Sequence, residues 1–210
     1  MLQAIEMDMG VLFAEQGDTR TASKYYSRAL SAWEKSGDTT RKAQLLNNLG
    51  VLYHTDGEYE QAFTLFEQGL EACEQCGDRR TQALTLCSLG DLMTDINDFD
   101  LAHRSFEQAL TISSQLNDNF LIFYSHLADV RVSRLEGRLD EAESSLRHLA
   151  VRQGTSSPYR LSQVGFEQAC CKLAAGRYQE ATEILRKSMM TYQQVGFSEE
   201  QCKFIIWMSA

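Results

Sequence analysis

The sequence contains a single proline, Pro158, in 210 residues, and it contains no long apolar run. Proline interrupts helices, so its scarcity together with 43% apolar residues favours a folded, helical chain over a disordered one. No apolar stretch approaches the roughly 18 residues that a membrane-spanning helix needs. The first residues also lack the basic start and apolar block of a secretory signal peptide. We therefore expect a cytoplasmic protein that does not enter a membrane.

The sequence also lacks an excess of basic residues. It carries 20 Lys and Arg against 29 Asp and Glu, a formal net charge of −9. Most of the imbalance lies in residues 1–118, which contain 9 basic and 19 acidic residues, whereas residues 119–210 contain 11 and 10. Because an acidic surface repels phosphate backbones, we expect no nucleic-acid partner.

Motifs that carry catalysis or bind metal ions are missing as well. The chain has no G-x-x-x-x-G-K phosphate loop, no G-x-S-x-G elbow and no H-E-x-x-H. The four histidines lie one per predicted helix rather than at metal-ligand spacing. They are His54, His103, His126 and His148. We expect no enzymatic activity, no cofactor and no metal site.

Six cysteines are present: Cys73, Cys76, Cys87, Cys170, Cys171 and Cys202. Cys73 and Cys76 form a C-x-x-C pair, but no second pair stands at zinc-site spacing. We therefore expect reduced thiols that pack as small side chains.

The strongest positive signal is an internal repeat. One set of turn residues recurs at spacings of 40, 40, 40 and 39: Gly17, Gly57, Asn97, Gly137 and Gly176. A second set recurs at the same spacings: Ala22, Ala62, Ala102, Ala142 and Ala181. Because two independent sets keep one period over the whole chain, the sequence predicts an array of stacked repeats with one continuous core.

Each period predicts two helices joined by a short turn. In the second repeat, Leu49 and Tyr53 face inward from the first helix, and Phe66 faces them from the second. Gly50 and Ala62 are expected to be small because the two helices cross most closely there. The predicted fold is an all-α solenoid of antiparallel helix pairs with about five repeats and a terminal helix.

We expect a single domain over residues 1–210. The repeats are predicted at 1–38, 39–78, 79–118, 119–157 and 158–196, and the terminal helix at 198–210. In the fourth and fifth repeats the apolar stripes of the first helices lie one residue closer to the turn, as with Leu127 and Val130. This offset predicts a shortened turn or a rotated helix in those repeats.

The motif Leu49-Gly50-x2-Tyr53 followed by Ala62-x3-Phe66 resembles the tetratricopeptide repeat, which has L-G-x2-Y and then A-x3-F. The period is near 40 rather than 34, and Gly37-Asp38 stands where the family usually has proline. This longer form is similar to the repeats of kinesin light chains, of Leu-Gly-Asn-rich spindle-orientation proteins and of bacterial transcription activators of the maltose-regulator kind. The resemblance implies a right-handed superhelix.

The resemblance also implies that the first helices line a groove that holds peptides. The groove residues carried over are Asn47, Asn48, Val51 and His54 in repeat two, Leu84, Cys87, Asp91 and Asp95 in repeat three, and Tyr124, Arg131 and Arg134 in repeat four. An asparagine amide both donates and accepts, which suits an extended peptide backbone. The alternative is that one of the two asparagines is a solvated helix residue. The lysine-rich clamp for a C-terminal carboxylate is absent.

Three functions remain open at this point. The first is a non-catalytic protein–protein interaction scaffold that binds a peptide or a partner helix in the groove. The second is an effector-sensing segment of a larger bacterial regulator, which the uncapped start and the apolar tail favour. The third is a homo-oligomer that pairs through the terminal helices, with Phe204, Ile205 and Trp207 in the contact.

Overall fold

The computed structural model describes residues 2–153 and 157–194. Within these residues it contains ten α-helices joined by short turns and no β-strand. The helices are α1 (Leu2–Glu15), α2 (Thr19–Ser36), α3 (Thr39–Thr55), α4 (Tyr59–Cys76), α5 (Arg79–Asp95), α6 (Phe99–Leu116), α7 (Asn119–Leu135), α8 (Leu139–Gln153), α9 (Pro158–Ala174) and α10 (Tyr178–Gln194). The predicted all-α fold is confirmed, whereas the predicted terminal helix at 198–210 lies outside the described residues.

The helices pack as successive pairs. Helix α1 packs against α2, α3 against α4, α5 against α6 and α9 against α10. Helices α2 and α4 also pack against the first helix of the following pair, and so does α8. The contacts group the chain into two compact units, here called unit 1 and unit 2, divided between Ser125 and His126. The single domain over residues 1–210 stays a prediction.

The turn between the two helices of each pair has three residues throughout the described chain. Helices α3, α5 and α7 all have 17 residues and begin 40 residues apart, and α9 has the same length. Leu127 and Val130 are buried, as are Cys87 and Gly90 at the equivalent positions of α5. The predicted shortening of the turn in repeats four and five is therefore wrong. The predicted rotation stays a prediction, because the buried positions do move by one residue: Ala128 is buried where Ser88 is half-buried, and Asp129 is half-buried where Leu89 is buried.

The predicted turn positions adopt the left-handed backbone conformation. Asn97, which stands where the other repeats have glycine, has φ 62°, and Gly57 has φ 80°. A Cβ atom makes this conformation costly for most residues, but asparagine tolerates it. The observed angles confirm the turn prediction.

Aspartates begin many of the helices. The carboxylates of Asp18, Asp38, Asp78 and Asp98 each accept a hydrogen bond from the backbone N–H three residues ahead, at 3.0–3.1 Å. The first N–H groups of a helix have no partner inside the helix, and a side-chain oxygen at this position satisfies one of them. A capping aspartate is therefore a recurring signal for the start of a helix in these repeats.

Replacing Asp78 with alanine is expected to lower the free energy of unfolding by about 1 kcal/mol because α5 loses its cap. Asp78 accepts from the backbone N–H of Thr81 at 3.0 Å, from its hydroxyl at 2.7 Å and from Gln44 Nε2 at 3.4 Å. Glu58 occupies the same position before α4 but makes no side-chain capping bond. Glu58→Ala is the matched control, and urea denaturation of both variants checks the difference. Equal losses would contradict the capping role.

The same cap makes stability depend on pH. Burial of the Asp78 carboxylate raises its pKa, but the hydrogen bonds from Thr81 and Gln44 lower that pKa more, and the net shift is downward. A carboxyl group with a depressed folded-state pKa contributes stability above its unfolded pKa and loses it as the pH falls through the folded value. The difference between the wild type and Asp78→Ala is therefore expected to shrink below about pH 4.

In each of the first three helix pairs, a glycine of the first helix packs against an aromatic ring of the second. A Cβ atom at Gly50 would lie 2.4 Å from Phe66 Cε1, and Phe66 is fully buried. A Cβ atom at Gly10 would meet the ring of Tyr26 in the same way, and one at Gly90 would meet the ring of Phe106. Gly50 is therefore small because the Phe66 ring packs directly on it, and the closest approach of the two helices at this point stays a prediction.

Candidate functional site

Side-chain hydrogen bonds join the successive first helices of unit 1. The hydroxyl of Ser88 on α5 donates to Asn47 Oδ1 on α3 at 3.1 Å. Further along the same two helices, His54 Nε2 lies 2.7 Å from Asp95 Oδ2. The hydroxyl of Tyr124 on α7 donates to Asp91 on α5. We call the predicted groove residues that form these bonds, together with Val51 of α3 and Leu84 of α5, the first-helix face; its members are Asn47, Val51, His54, Leu84, Asp91, Asp95 and Tyr124.

The two predicted asparagines occupy different positions. Asn47 belongs to the face, and its Oδ1 atom accepts from Ser88, whereas its Nδ2 atom can only donate. Asn48 is half-buried and is equivalent, by the repeat of 40, to Ser88, which faces the preceding first helix. Asn48 is therefore not counted in the face, and its role as a groove residue stays a prediction.

Apolar groups accompany the polar ones on the face. The side chain of Val51 lies one turn from Asn47 on α3, and Val51 is 41% exposed. Leu84 is half-buried. The ring of Tyr124 stacks on the exposed ring of Phe120, with centroids 6.4 Å apart. The face thus offers apolar surface beside hydrogen-bonding groups.

Cys87 does not belong to the face. It is 3% exposed, packs in the core between repeats three and four, and lies 3.4 Å from the hydroxyl of Ser125. Burial raises the pKa of the Cys87 thiol to about 12. The prediction of Cys87 as a groove residue is wrong because its position faces the next repeat, where Leu121 and Ser125 cover it.

The other described cysteines are also free thiols. Burial raises the pKa of Cys73 to about 12 and that of Cys171 to about 11. A thiol with so high a pKa holds little thiolate near neutral pH, so these positions do not favour nucleophilic chemistry.

In unit 2, the structure places two predicted groove residues in a buried ion pair. Arg131 Nε lies 3.0 Å from one carboxylate oxygen of Glu167, and Arg134 Nε lies 3.3 Å from the other. Glu167 is only 2% exposed. Sequence reasoning missed Glu167, although one signal was present: the equivalent positions hold Ala128 and Ser88, which are small and uncharged.

Two of the histidines line a cavity of about 160 Å³ in unit 2. Its lining consists of His126, Val130, Ser145, His148 and Leu149. No group of three or more His, Cys, Asp or Glu side chains suited to a metal ion occurs in residues 2–153 and 157–194. Among the helices that the structure describes, none is long and apolar enough to cross a membrane. Phe204, Ile205 and Trp207 lie outside the described residues, and their role in oligomerisation stays a prediction.

The sequence profile of the tetratricopeptide repeat matches residues 2–75 and, in a second and overlapping match, residues 43–115. Together the two matches cover more than half of the 210 residues. No curated protein matches this sequence significantly.

Solved structures share the fold at low sequence identity. BtubC (BKLC) from P. vanneervenii is 19% identical, with a TM-score of 0.74 over 90% of this chain and 79% of that one. The TPR-like repeats of a kinesin light chain from Podosopora anserina are 16% identical, with a TM-score of 0.72 over 93% and 97%. The Rap conjugation gene regulator of plasmid pLS20, solved with the Phr* peptide, is 15% identical, with a TM-score of 0.73 over 90% and 53%.

Proposed function

Because the chain belongs to the tetratricopeptide repeat family, we propose that it is a non-catalytic protein-interaction module. It binds a peptide or a segment of a partner protein on the first-helix face of unit 1. The observation that carries this proposal is the set of three hydrogen bonds that join α3, α5 and α7 across the face.

These bonds matter because they hold the side chains in place before a partner arrives. Ordering flexible side chains at an interface costs binding free energy, and a face that is already ordered avoids much of that cost. A Rap regulator with this fold was solved with a peptide bound, which supports the same use of the fold here.

The face suits an extended peptide in two respects. An extended segment presents unpaired N–H and C=O groups, and Asn47 Nδ2 is placed to donate to a carbonyl oxygen while the carboxylate of Asp95 accepts. Val51 and Leu84 provide apolar surface that a partner side chain buries. Hydrogen bonds then set the position of the peptide, and burial supplies most of the affinity.

A second candidate is that this face is the sensing part of a larger regulator. The chain spans about half the length of the Rap regulators it resembles, 53% in the case of the plasmid pLS20 protein. A reading frame that continues from these repeats into a DNA-binding domain would favour this candidate, and a stop codon directly after Ala210 would count against it.

Replacing Val51 with glutamine is expected to weaken peptide binding about tenfold, because burying one valine contributes roughly 1.5 kcal/mol and 1.4 kcal/mol is a factor of ten. The probe is a set of peptides selected from a displayed random library on the intact chain, with affinities measured by fluorescence anisotropy. Val151, which is 81% exposed on α8, provides the control substitution Val151→Gln.

The control separates a local contact from a general effect of polarity. Both variants introduce the same side chain at an exposed helical valine, and circular dichroism checks that both retain their helices. Peptides that bind the two variants equally well would show that the first-helix face is not the binding site.

A further inference from the structure

The cavity of about 160 Å³ in unit 2 is lined by α7 and α8 of repeat four. His126 and Val130 belong to α7, and Ser145, His148 and Leu149 belong to α8. All five residues fall in unit 2, whereas the first-helix face belongs to unit 1. The proposed function therefore gives this cavity no role.

The cavity occurs where repeat four departs from the three repeats before it. Each of those repeats packs an aromatic ring on a glycine of its first helix, as Phe66 packs on Gly50. Repeat four has Val130 at the position of the glycine and Leu146 at the position of the ring, and both are buried. The helix pair thus holds no aromatic ring at this place, and a space lies beside Val130 instead.

His126 belongs to the same departure. The equivalent positions in repeats two and three hold Leu46 and Leu86, which are only 1% and 5% exposed. His126 is half-buried and lines the cavity. Since leucine packs this inward position in the other repeats, packing does not require an imidazole there. Repeat four therefore has a polar ring and a space where its neighbours have a filled apolar core.

The volume of the cavity suits a single six-membered ring. An apolar cavity of about 150 Å³ in a protein interior binds benzene. Pockets for drug-sized ligands are larger, at about 300 Å³ or more. Val130 and Leu149 are both buried and give the ring apolar walls.

The polar groups of the lining suit one uncharged substituent on that ring. Ser145 and His148 are exposed, so the hydrogen-bonding groups lie toward solvent while the apolar walls lie inside. A neutral imidazole and a hydroxyl can each donate and accept, as a phenolic hydroxyl does. Neither lysine nor arginine occurs among the described lining residues. A carboxylate would therefore lose hydration here without a permanent positive partner.

We infer that this cavity binds an uncharged phenol ring. The ring packs between Val130 and Leu149, and its hydroxyl bonds to His148 and Ser145 at the exposed side. The bound ring supplies the aromatic packing that Phe66 supplies in repeat two. A free small phenol and the tyrosine side chain of a partner present the same chemistry to the cavity.

The test titrates phenol into the intact chain and follows the methyl resonances of Val130 and Leu149 by NMR. Saturable shifts of both are expected with the wild type. Ser145→Leu introduces the side chain that Leu65 has at the equivalent position of repeat two. This variant is expected to weaken phenol binding about tenfold, because the leucine takes up space that the ring needs.

Toluene separates the contribution of the ring from that of the hydroxyl, because toluene makes no hydrogen bond. With His148→Leu, the ratio of the phenol affinity to the toluene affinity is expected to fall about fivefold, the factor that one hydrogen bond contributes. Arg147→Leu is the matched control. Arg147 is exposed on α8 and is not among the residues that line the cavity, so the ratio is expected to stay unchanged. Circular dichroism checks that all variants retain their helices.

A further probe, N-acetyltyrosinamide, distinguishes the two sources of the ring. Binding of this probe that is lost with Ser145→Leu would assign the site to a partner's tyrosine, whereas binding of phenol alone would assign it to a free small molecule. Absence of phenol binding, or equal binding to the wild type and Ser145→Leu, would overturn the site. A ratio unaffected by His148→Leu, or tighter binding of benzoate than of phenol, would overturn an uncharged phenol as the ligand.

Discussion

Replacing Gly50 with alanine is expected to lower the free energy of unfolding by about 2 kcal/mol, although alanine favours helices by about 1 kcal/mol over glycine. A Cβ atom there would lie 2.4 Å from Cε1 and 2.6 Å from Cδ1 of Phe66. The ring is fully buried, so any movement of the ring disturbs the core residues packed around it. The two helices of repeat two must therefore separate or the ring must adopt a strained position.

Gly69→Ala is the control for helix propensity. Gly69 lies inside α4, and the nearest atom to a Cβ there is Thr85 Cγ2 at 3.5 Å, an ordinary contact. This variant is expected to gain up to about 1 kcal/mol. The same chemical change therefore has opposite signs at two helical glycines, and urea denaturation followed by circular dichroism measures both. A stabilising Gly50→Ala would refute the close approach.

The chain itself suggests how to relieve the clash. In repeat four the positions of Gly50 and Phe66 hold Val130 and Leu146, and both are buried. The double variant Gly50→Ala, Phe66→Leu is therefore expected to be more stable than the sum of the two single changes predicts. A double-mutant cycle measures the coupling free energy between the two changes. A coupling of zero would contradict a clash between the methyl group that Gly50→Ala adds and the Phe66 ring.

Replacing Glu167 with glutamine is expected to lower the free energy of unfolding by about 3 kcal/mol, within the range for breaking a buried ion pair. The substitution keeps the shape of the side chain but removes the charge that faces Arg131 and Arg134. Arg134 is itself only 15% exposed, so its guanidinium group cannot recover full hydration. The loss comes mainly from the buried positive charge that is left behind.

Glu183→Gln provides the surface comparison. Glu183 pairs with Arg186 at 3.0 Å and Lys187 at 3.6 Å, and its side chain is 52% exposed. Solvent screens such pairs, so we expect a change within about 0.5 kcal/mol. Thermal unfolding of the two variants checks the contrast, and similar midpoints would show that Glu167 is not in a low-dielectric site.

A triple variant tests whether the charges act as one group. Arg131→Val, Arg134→Thr and Glu167→Ser install residues that earlier repeats hold at these positions, namely Val51, Thr94 and Ser88. Because the Glu167 carboxylate and the two guanidinium groups that face it are removed together, the triple variant is expected to be more stable than Glu167→Gln alone. A triple variant less stable than the single one would mean that packing, not charge, dominates at this site.

The fold was predictable because its signals are local and repeated. The left-handed turns at Gly57 and Asn97 and the glycine against Phe66 depend on residues near each other in one hairpin. Each signal also recurs at a fixed spacing, and a pattern that arose by chance in one segment would not recur at that spacing in the others. The predicted shortening of the turns after α7 and α9 was wrong, because these turns keep three residues and only the apolar positions of the preceding helix move by one residue.

The candidate site was predictable only in part. The resemblance placed Asn47, Val51 and His54 on a first helix, and the structure shows that Asn47 and His54 bond to the next one. It did not separate Cys87, which is buried, from Asp91, which lies on the face. Four residues turn a helix by only about 40°, so a sequence pattern locates a face but not its edge.

By itself, the sequence determined the helices, their pairing and the chemistry that the chain lacks, because periodicity, turn residues and missing motifs are properties of short segments. Only the tertiary structure decided which polar side chains meet. His54 with Asp95, Tyr124 with Asp91, and Arg131 with Glu167 are more than 30 residues apart along the chain. Whether such groups form a binding face or a buried ion pair depends on the packing of successive repeats, which no local pattern records.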